Sequence, residues 1–280
     1  MDQEMRSALT AALALQLAWG ADEALDDVAQ DRRGTRRDAG RVSGREAGAL
    51  PGQAAALPSR PSPTPAAPPP GGSALAEAEA LAAAAPDLAA LRAAIAGFGG
   101  LGLRDTATSL VFADGNEAAP LMLIGEAPGA EEDREGKPFV GASGRLLDRM
   151  LATIGLDRHS EGEASFYVTN VLAWRPPGNR NPTDSEVALS LPFLRRHVAL
   201  VRPRLILMLG AVAVRSLTGA REGITRVRGR WFEVPVEGGS PVPALATLHP
   251  AYLLRNPGAK KDAWADLVAM RERLDTLRQN

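Results

Sequence analysis

Four short apolar runs alternate along the chain with stretches whose apolar positions recur every three or four residues. The runs are Pro120-Leu-Met-Leu-Ile-Gly125, Phe166-Tyr-Val-Thr-Asn-Val-Leu172, Leu205-Ile-Leu-Met-Leu-Gly210 and Pro243-Ala-Leu-Ala-Thr-Leu248. Such runs, bounded by Gly or Pro, read as buried strands, the fourth being the weakest by propensity. Helical spacing follows at 144–154 (Leu146, Leu147, Met150, Leu151), 184–200 (Val187, Leu191, Leu194, Val198), 211–218 and 262–278 (Leu267, Met270, Leu274, Leu277). Strands alternating with helices predict an α/β domain over 85–280, with a four-stranded, mainly parallel sheet sandwiched between helices. Ligands of such sheets bind at the carboxyl ends of the strands, so the residues just after the runs are the ones to read for chemistry.

The first part of the chain is patterned differently. Residues 1–30 predict an N-terminal amphipathic helix carrying Leu9, Leu13, Leu15, Leu17 and Trp19. Residues 31–84 predict a disordered Pro/Ala-rich linker, because 58–72 hold almost nothing that could form a core. An Ala-rich helical pattern over 73–97 breaks at Pro86. The apolar run at 7–19 is too short to span a bilayer, and the first six residues carry more acid than base, unlike a signal peptide. The expectation is a cytoplasmic protein with no membrane association, an uncleaved targeting segment being the lesser alternative. The N-terminal helix either binds a protein partner or docks back on the domain.

Composition removes several chemistries. The 280 residues include no cysteine and three histidines. That leaves no thiolate for zinc, iron–sulfur clusters or nucleophilic attack, and the expected cofactor is none. The formal net charge is −1, with the acidic excess in the first hundred residues, so the remainder is mildly cationic. Arginines thicken between 195 and 230. Arg226-Val-Arg-Gly-Arg230 alternates, and a strand or hairpin there would put all three on one face.

Three segments after the strands carry candidate chemistry. Gly125-Glu126-Ala127-Pro128-Gly129 places a carboxylate on a shaped turn, and Gly136-Lys137-Pro138-Phe139-Val140-Gly141 offers an aromatic face. Thr169-Asn170 ends the second run; Asn both donates and accepts, which suits the edge of a pyrimidine. The loop Arg175-Pro-Pro-Gly178-Asn179-Arg180 then brings two cations to a rigid turn, fit for a sugar–phosphate track. Thr183 or Asp184 opens the next helix in a capping pattern. After the fourth run, His249 can donate to a developing oxyanion, and Leu253-Leu254-Arg255 resembles an apolar wedge beside a phosphate contact.

Taken together these motifs resemble the uracil-DNA glycosylase superfamily, most closely its family 4, over roughly residues 90–278. The resemblance implies roles at matching positions. Glu126 would position water or stabilise the sugar cation, and His249 would stabilise negative charge on the leaving base. Phe139 would stack on a flipped uracil, Asn170 would read its edge, and backbone groups at Ala127 and Gly129 would line the pocket. Arg175, Asn179, Arg180, Leu253, Leu254 and Arg255 would touch DNA, with Leu253 as the wedge. The substrate implied is uracil-containing DNA, single- or double-stranded, cleaved to an abasic site. Family 4 enzymes usually carry a [4Fe–4S] cluster on four cysteines; those positions fall here at Phe98, Leu101, Trp174 and Ser190. The rival expectation is a degenerate homologue that binds DNA or a repair partner without excision. A nucleotide-binding domain is disfavoured, since no phosphate-loop fingerprint follows the first strand.

Overall fold

The computed structural model describes residues 71–279. The helix expected over 1–30, and residues 31–70 of the expected linker, lie outside them. In chain order the fold comprises α1 (Gly71–Ala84), α2 (Leu88–Gly97), β1 (Asp114–Gly115), β2 (Leu121–Gly125), α3 (Ala130–Glu135), α4 (Ala142–Ala152), β3 (Phe166–Asn170) and α5 (Asp184–Val201). It continues with β4 (Leu205–Leu209), α6 (Ala211–Thr218), α7 (Ile224–Val227), β5 (Trp231–Val234), β6 (Val242–Thr247), α8 (Pro250–Arg255) and α9 (Lys260–Gln279).

The six strands form one sheet in the order β1-β3-β2-β4-β6-β5. The central four, β3, β2, β4 and β6, are parallel and coincide with the four apolar runs. Every residue of β2, β3 and β4 is buried, as expected for strands covered on both faces. The sheet is two strands wider than expected, because β1 and β5 pair antiparallel at its edges. β1 is only two residues long, and β5 has two of its four residues exposed and a charged Glu233 within it, so neither leaves an apolar run to read.

The Ala-rich helical pattern over 73–97 forms α1 and α2, separated at Pro86 as expected, but α1 lies before residue 85 and packs on the domain instead of belonging to a linker. This helix packs through small side chains. Ala78, Ala82 and Ala85 are buried in a cluster with Leu91, Phe98 and Phe193. Arg196 donates through Nε and Nη2 to the Ala85 carbonyl (2.9 and 2.7 Å), tying the end of α1 to α5. Asp87 then caps α2, accepting from the Ala90 N–H at 2.8 Å.

The Arg226–Arg230 segment is not a strand. Arg226 lies on α7, and Arg228 turns inward, donating from Nε to Asp266 Oδ2 at 3.0 Å. Asp266 is buried and also accepts from Thr247 Oγ1 (2.7 Å). Arg230 pairs on the surface with Glu222. The three guanidinium groups therefore share no face. Among the described residues, no helix is long and apolar enough to cross a membrane.

Register aligns the carboxyl ends of the parallel strands. Gly125 of β2 lies opposite Asn170 of β3, and Leu209 of β4 opposite Thr247 of β6. The loops carrying Glu126, Asn170 and His249 consequently emerge along one rim of the sheet.

Candidate active site

The first wall of the rim is the loop after β2. A side chain at Gly125 would put its Cβ 2.4 Å from Asn170 Oδ1 and 2.5 Å from Phe139 Cζ. Only glycine lets these two groups meet at the strand end. Beyond Glu126 the chain turns into α3, whose Glu132 is buried. The Glu132 carboxylate accepts from the N–H groups of Gly129 (3.1 Å), Val140 (3.1 Å) and Gly141 (2.9 Å). One carboxylate thus stitches both ends of the 129–141 loop together. The neighbouring Asp133 accepts from the Thr108 and Ser109 N–H groups (2.8 and 3.0 Å).

Phe139 has φ 55°, the left-handed region that a bulky residue seldom adopts. Its carbonyl packs so closely on Gly144 that a Cβ there would lie 1.9 Å from the Phe139 oxygen. The ring is buried, and its centroid stands 5.7 Å from that of His249 at an interplanar angle of 31°.

Asn170 ends β3 and is buried, yet its Oδ1 has no hydrogen-bond partner. A buried acceptor left unpaired costs free energy. Here it faces a cleft, next to an aromatic ring.

His249 caps α8, its Nδ1 accepting the Ala251 N–H at 3.1 Å. That bond places the ring proton on Nε2. Burial, reinforced by the charge of Arg255, pushes the imidazole pKa down to about 4, so the ring is neutral at neutral pH. Burial pushes the Glu126 carboxyl above 4.5, with Arg215 opposing.

These groups surround a cleft of about 360 Å³. Of the residues expected from sequence, it brings together Glu126, Ala127, Gly129, Phe139, Asn170, Asn179, His249 and Arg255. It adds Glu132, Ser143, Asn181, Ala251 and Tyr252. Glu132 was legible in principle, standing three residues after Gly129 where a capping-box carboxylate belongs.

Four expected contacts lie elsewhere. Arg175 does not line the cleft; its Nε holds Asn179 Oδ1 (2.7 Å), and its Nη1 lies 3.8 Å from Asp133. Arg180 is paired with Glu186 at 2.6 and 2.9 Å, and this partner holds the Glu186 carboxyl at about 2. Leu253, expected as the wedge, is 1% exposed and belongs to the core. The residue that projects is Leu254, 44% exposed, because α8 turns neighbouring side chains in different directions.

With this geometry in place, comparison with known proteins defines the class. The uracil DNA glycosylase superfamily matches over residues 112–268, more than half of the chain. The chain belongs to this superfamily. Within it, the similarity is to type 4. The type-4 uracil-DNA glycosylase of Archaeoglobus fulgidus is 40% identical over 174 residues, covering 61% of this chain and 84% of its own. That of Thermotoga maritima is 40% identical over 152 residues, covering 53% and 73%. A type-5 uracil-DNA glycosylase of Pyrobaculum aerophilum is 32% identical over 154 residues, covering 51% and 66%.

The type-4 relatives overturn the expectation of no cofactor. Type 4 is the class whose resemblance implies a [4Fe–4S] cluster, so a plain absence does not follow from the chain's kinship. The side chains at the corresponding positions nevertheless do not fit a thiolate-bound cluster. Leu101, Trp174 and Ser190 line one cavity of about 20 Å³, room for a single water. Phe98 completes the group by packing on Phe193, which lines the same cavity, with ring centroids 5.3 Å apart. All four are buried, and the Ser190 hydroxyl has no hydrogen-bond partner.

Proposed function

We propose that the protein hydrolyses the N-glycosidic bond of uracil in DNA, leaving an abasic site as the opening step of base excision repair. The observation that carries this reading is the unpartnered Asn170 Oδ1 at one side of the cleft, with the neutral His249 and the Phe139 ring beside it. Uracil presents an N3–H donor flanked by two carbonyl acceptors. Asn170 accepts from N3–H and donates from its amide to O4, a pairing that the cytosine edge does not offer.

Bond cleavage builds positive charge on the sugar and negative charge on the base. The site answers with Glu126 on the sugar side and His249 on the base side. As the N1–C1′ bond breaks, its electron pair passes into the uracil ring and onto O2, where the His249 Nε2–H donates. Water adds through its oxygen to C1′, and Glu126 orients it and receives the proton it releases. Phe139 stacks on the base, while Ala127 and Gly129 close the pocket beside it. A neutral imidazole serves as donor here without requiring a buried cation.

Substrate DNA lies across the rim, single- or double-stranded. Arg255 and Asn179 in the cleft contact the strand, with Arg175 and Arg180 on the adjoining loop. Leu254 enters the space that the flipped base leaves. DNA as substrate, with no membrane association, accords with a cytoplasmic enzyme. Residues 1–30, with Leu9, Leu13, Leu15, Leu17 and Trp19, offer apolar side chains to a protein partner.

The test is excision from a labelled, uracil-containing single-stranded oligonucleotide, with the Glu126→Ala/His249→Ala double variant alongside. Strand cleavage at the abasic site with the wild type alone supports the reading. Folded wild type that binds the oligonucleotide but releases no uracil would favour a non-excising homologue.

A further inference from the structure

Arg158 follows α4 and lies outside the cleft, yet it is 7% exposed. Each of its five N–H groups has an acceptor. Nη2 donates to the Phe139 carbonyl (3.1 Å) and to Asp148 Oδ1 (2.7 Å). Nη1 donates to the Pro138 carbonyl (3.3 Å) and Asp114 Oδ2 (3.0 Å), and Nε to Asp148 Oδ1 (3.0 Å). The guanidinium also lies 5.8 Å from the Phe166 ring centroid. One side chain therefore joins the edge strand β1, helix α4 and the loop before Gly141.

The two carbonyls it holds flank the α-carbon of Phe139, whose φ of 55° is unfavourable for a phenylalanine. Such a conformation persists only where its surroundings over-determine it. Gly144 leaves room for the Phe139 carbonyl but supplies no bond to hold it. The held carbonyls are bonded to a side chain that does not line the cleft, while the ring stands against His249 within it.

We infer that Arg158 is a positioning residue: it fixes the strained Phe139 backbone and thereby sets the ring plane on which the base stacks. The inference rests on the reading that Phe139 stacks on uracil. Lysine cannot replace Arg158, because an ammonium with three donors does not reproduce a planar fork serving two carbonyls and two carboxylates.

A double-mutant cycle on the full chain tests this, using Arg158→Lys, Phe139→Ala and the double variant. Single-turnover excision rate, apparent KM and inhibition by free uracil are measured, with melting curves for each. Arg158→Lys alone should lower kcat/KM at least tenfold and weaken uracil inhibition in parallel. In the Phe139→Ala background the same change should cost less than twofold, since the ring it positions is gone. Losses that multiply would overturn the inference and make Arg158 a general stabiliser. If Phe139→Ala excises at the wild-type rate, the stacking reading fails and the inference with it. Should Arg158→Lys not fold, Asp148→Asn takes its place in the cycle. It removes only the charge that orients Arg158, with a threefold loss expected alone and none beside Phe139→Ala; equal losses in both backgrounds would overturn the inference.

Discussion

The loop over 126–141 and the loop over 175–183 meet at the same cleft but are held by different means. The first is tied from beneath by buried charge. Glu132 takes three backbone N–H groups, Asp133 takes two more, and Arg158 takes two carbonyls. The second is held at the surface by Arg175 with Asn179 and by Arg180 with Glu186. Of these, only Arg180 with Glu186 is an ion pair; it is bidentate but lies at the surface, where salt screens it. The difference separates two tasks. A pocket that must discriminate one base needs fixed walls, whereas a loop that receives a strand needs cations able to exchange a carboxylate for a phosphate.

The largest expected effect comes from cutting the buried side. Glu132→Ala strands three N–H groups, and each unsatisfied buried donor costs about 1–3 kcal/mol. The variant should melt many degrees lower and lose excision with it. Urea melts and initial rates check this, and an unchanged midpoint would remove the contrast between the loops.

The two adjacent leucines of α8 sharpen the same contrast. Leu253→Ala opens a core cavity and should destabilise the fold by about 2–5 kcal/mol. Leu254→Ala should leave the melting curve in place and slow excision from double-stranded DNA several-fold more than from single-stranded DNA. Equal slowing on both substrates would contradict Leu254 as the wedge.

Acid should act through the buried imidazoles. His249 has its pKa lowered to about 4 and His197 to about 3, both chiefly by burial. Both bind fewer protons folded than unfolded, so their contribution is complete above about pH 6.5. It is lost progressively as pH falls toward 4 and then 3. Melting temperature measured down this range should drop, and His197→Gln should flatten the lower part of the fall.

The smallest effect belongs to the exposed loop. Arg180→Ala should lower the melting curve only slightly. It should weaken DNA binding a few-fold and make binding less steeply dependent on salt. Binding isotherms at several salt concentrations measure both.

The parallel strands were readable because burial on both faces writes itself as an uninterrupted apolar run, as in Leu205–Leu209. The edges were not. Asp114–Gly115 is too short to leave a pattern, and Trp231–Val234 has two of its four residues exposed. The Ala-rich pattern over 73–97 marked α1 as helical, but its place in the packed domain escaped because it buries alanines rather than a leucine stripe. Arg226–Arg230 misled because alternation alone does not make a strand when Arg228 has a buried partner, Asp266, 38 residues away. Glu126, Asn170 and His249 were legible as residues following strands. Leu253 and Leu254 were not separable, because one position on a six-residue helix decides which is buried. Arg158 left no sequence signal, since its acceptors at Phe139 and Pro138 lie 19 and 20 residues back in the chain.

The most direct measurement is the single-turnover rate of uracil excision by Asn170→Ala and by His249→Ala, each beside its own melting curve. Rates should fall about 10²–10³-fold when the oxyanion donor at His249 is removed, and sharply at Asn170, with the melting temperature unchanged for Asn170→Ala and lowered for His249→Ala only by the loss of its cap on α8, about 0.5–2 kcal/mol. A rate loss no larger than the loss of stability at His249, or a rate and melting temperature that fall together at Asn170, would assign these residues to the fold instead, and the uracil pocket would have to be sought elsewhere.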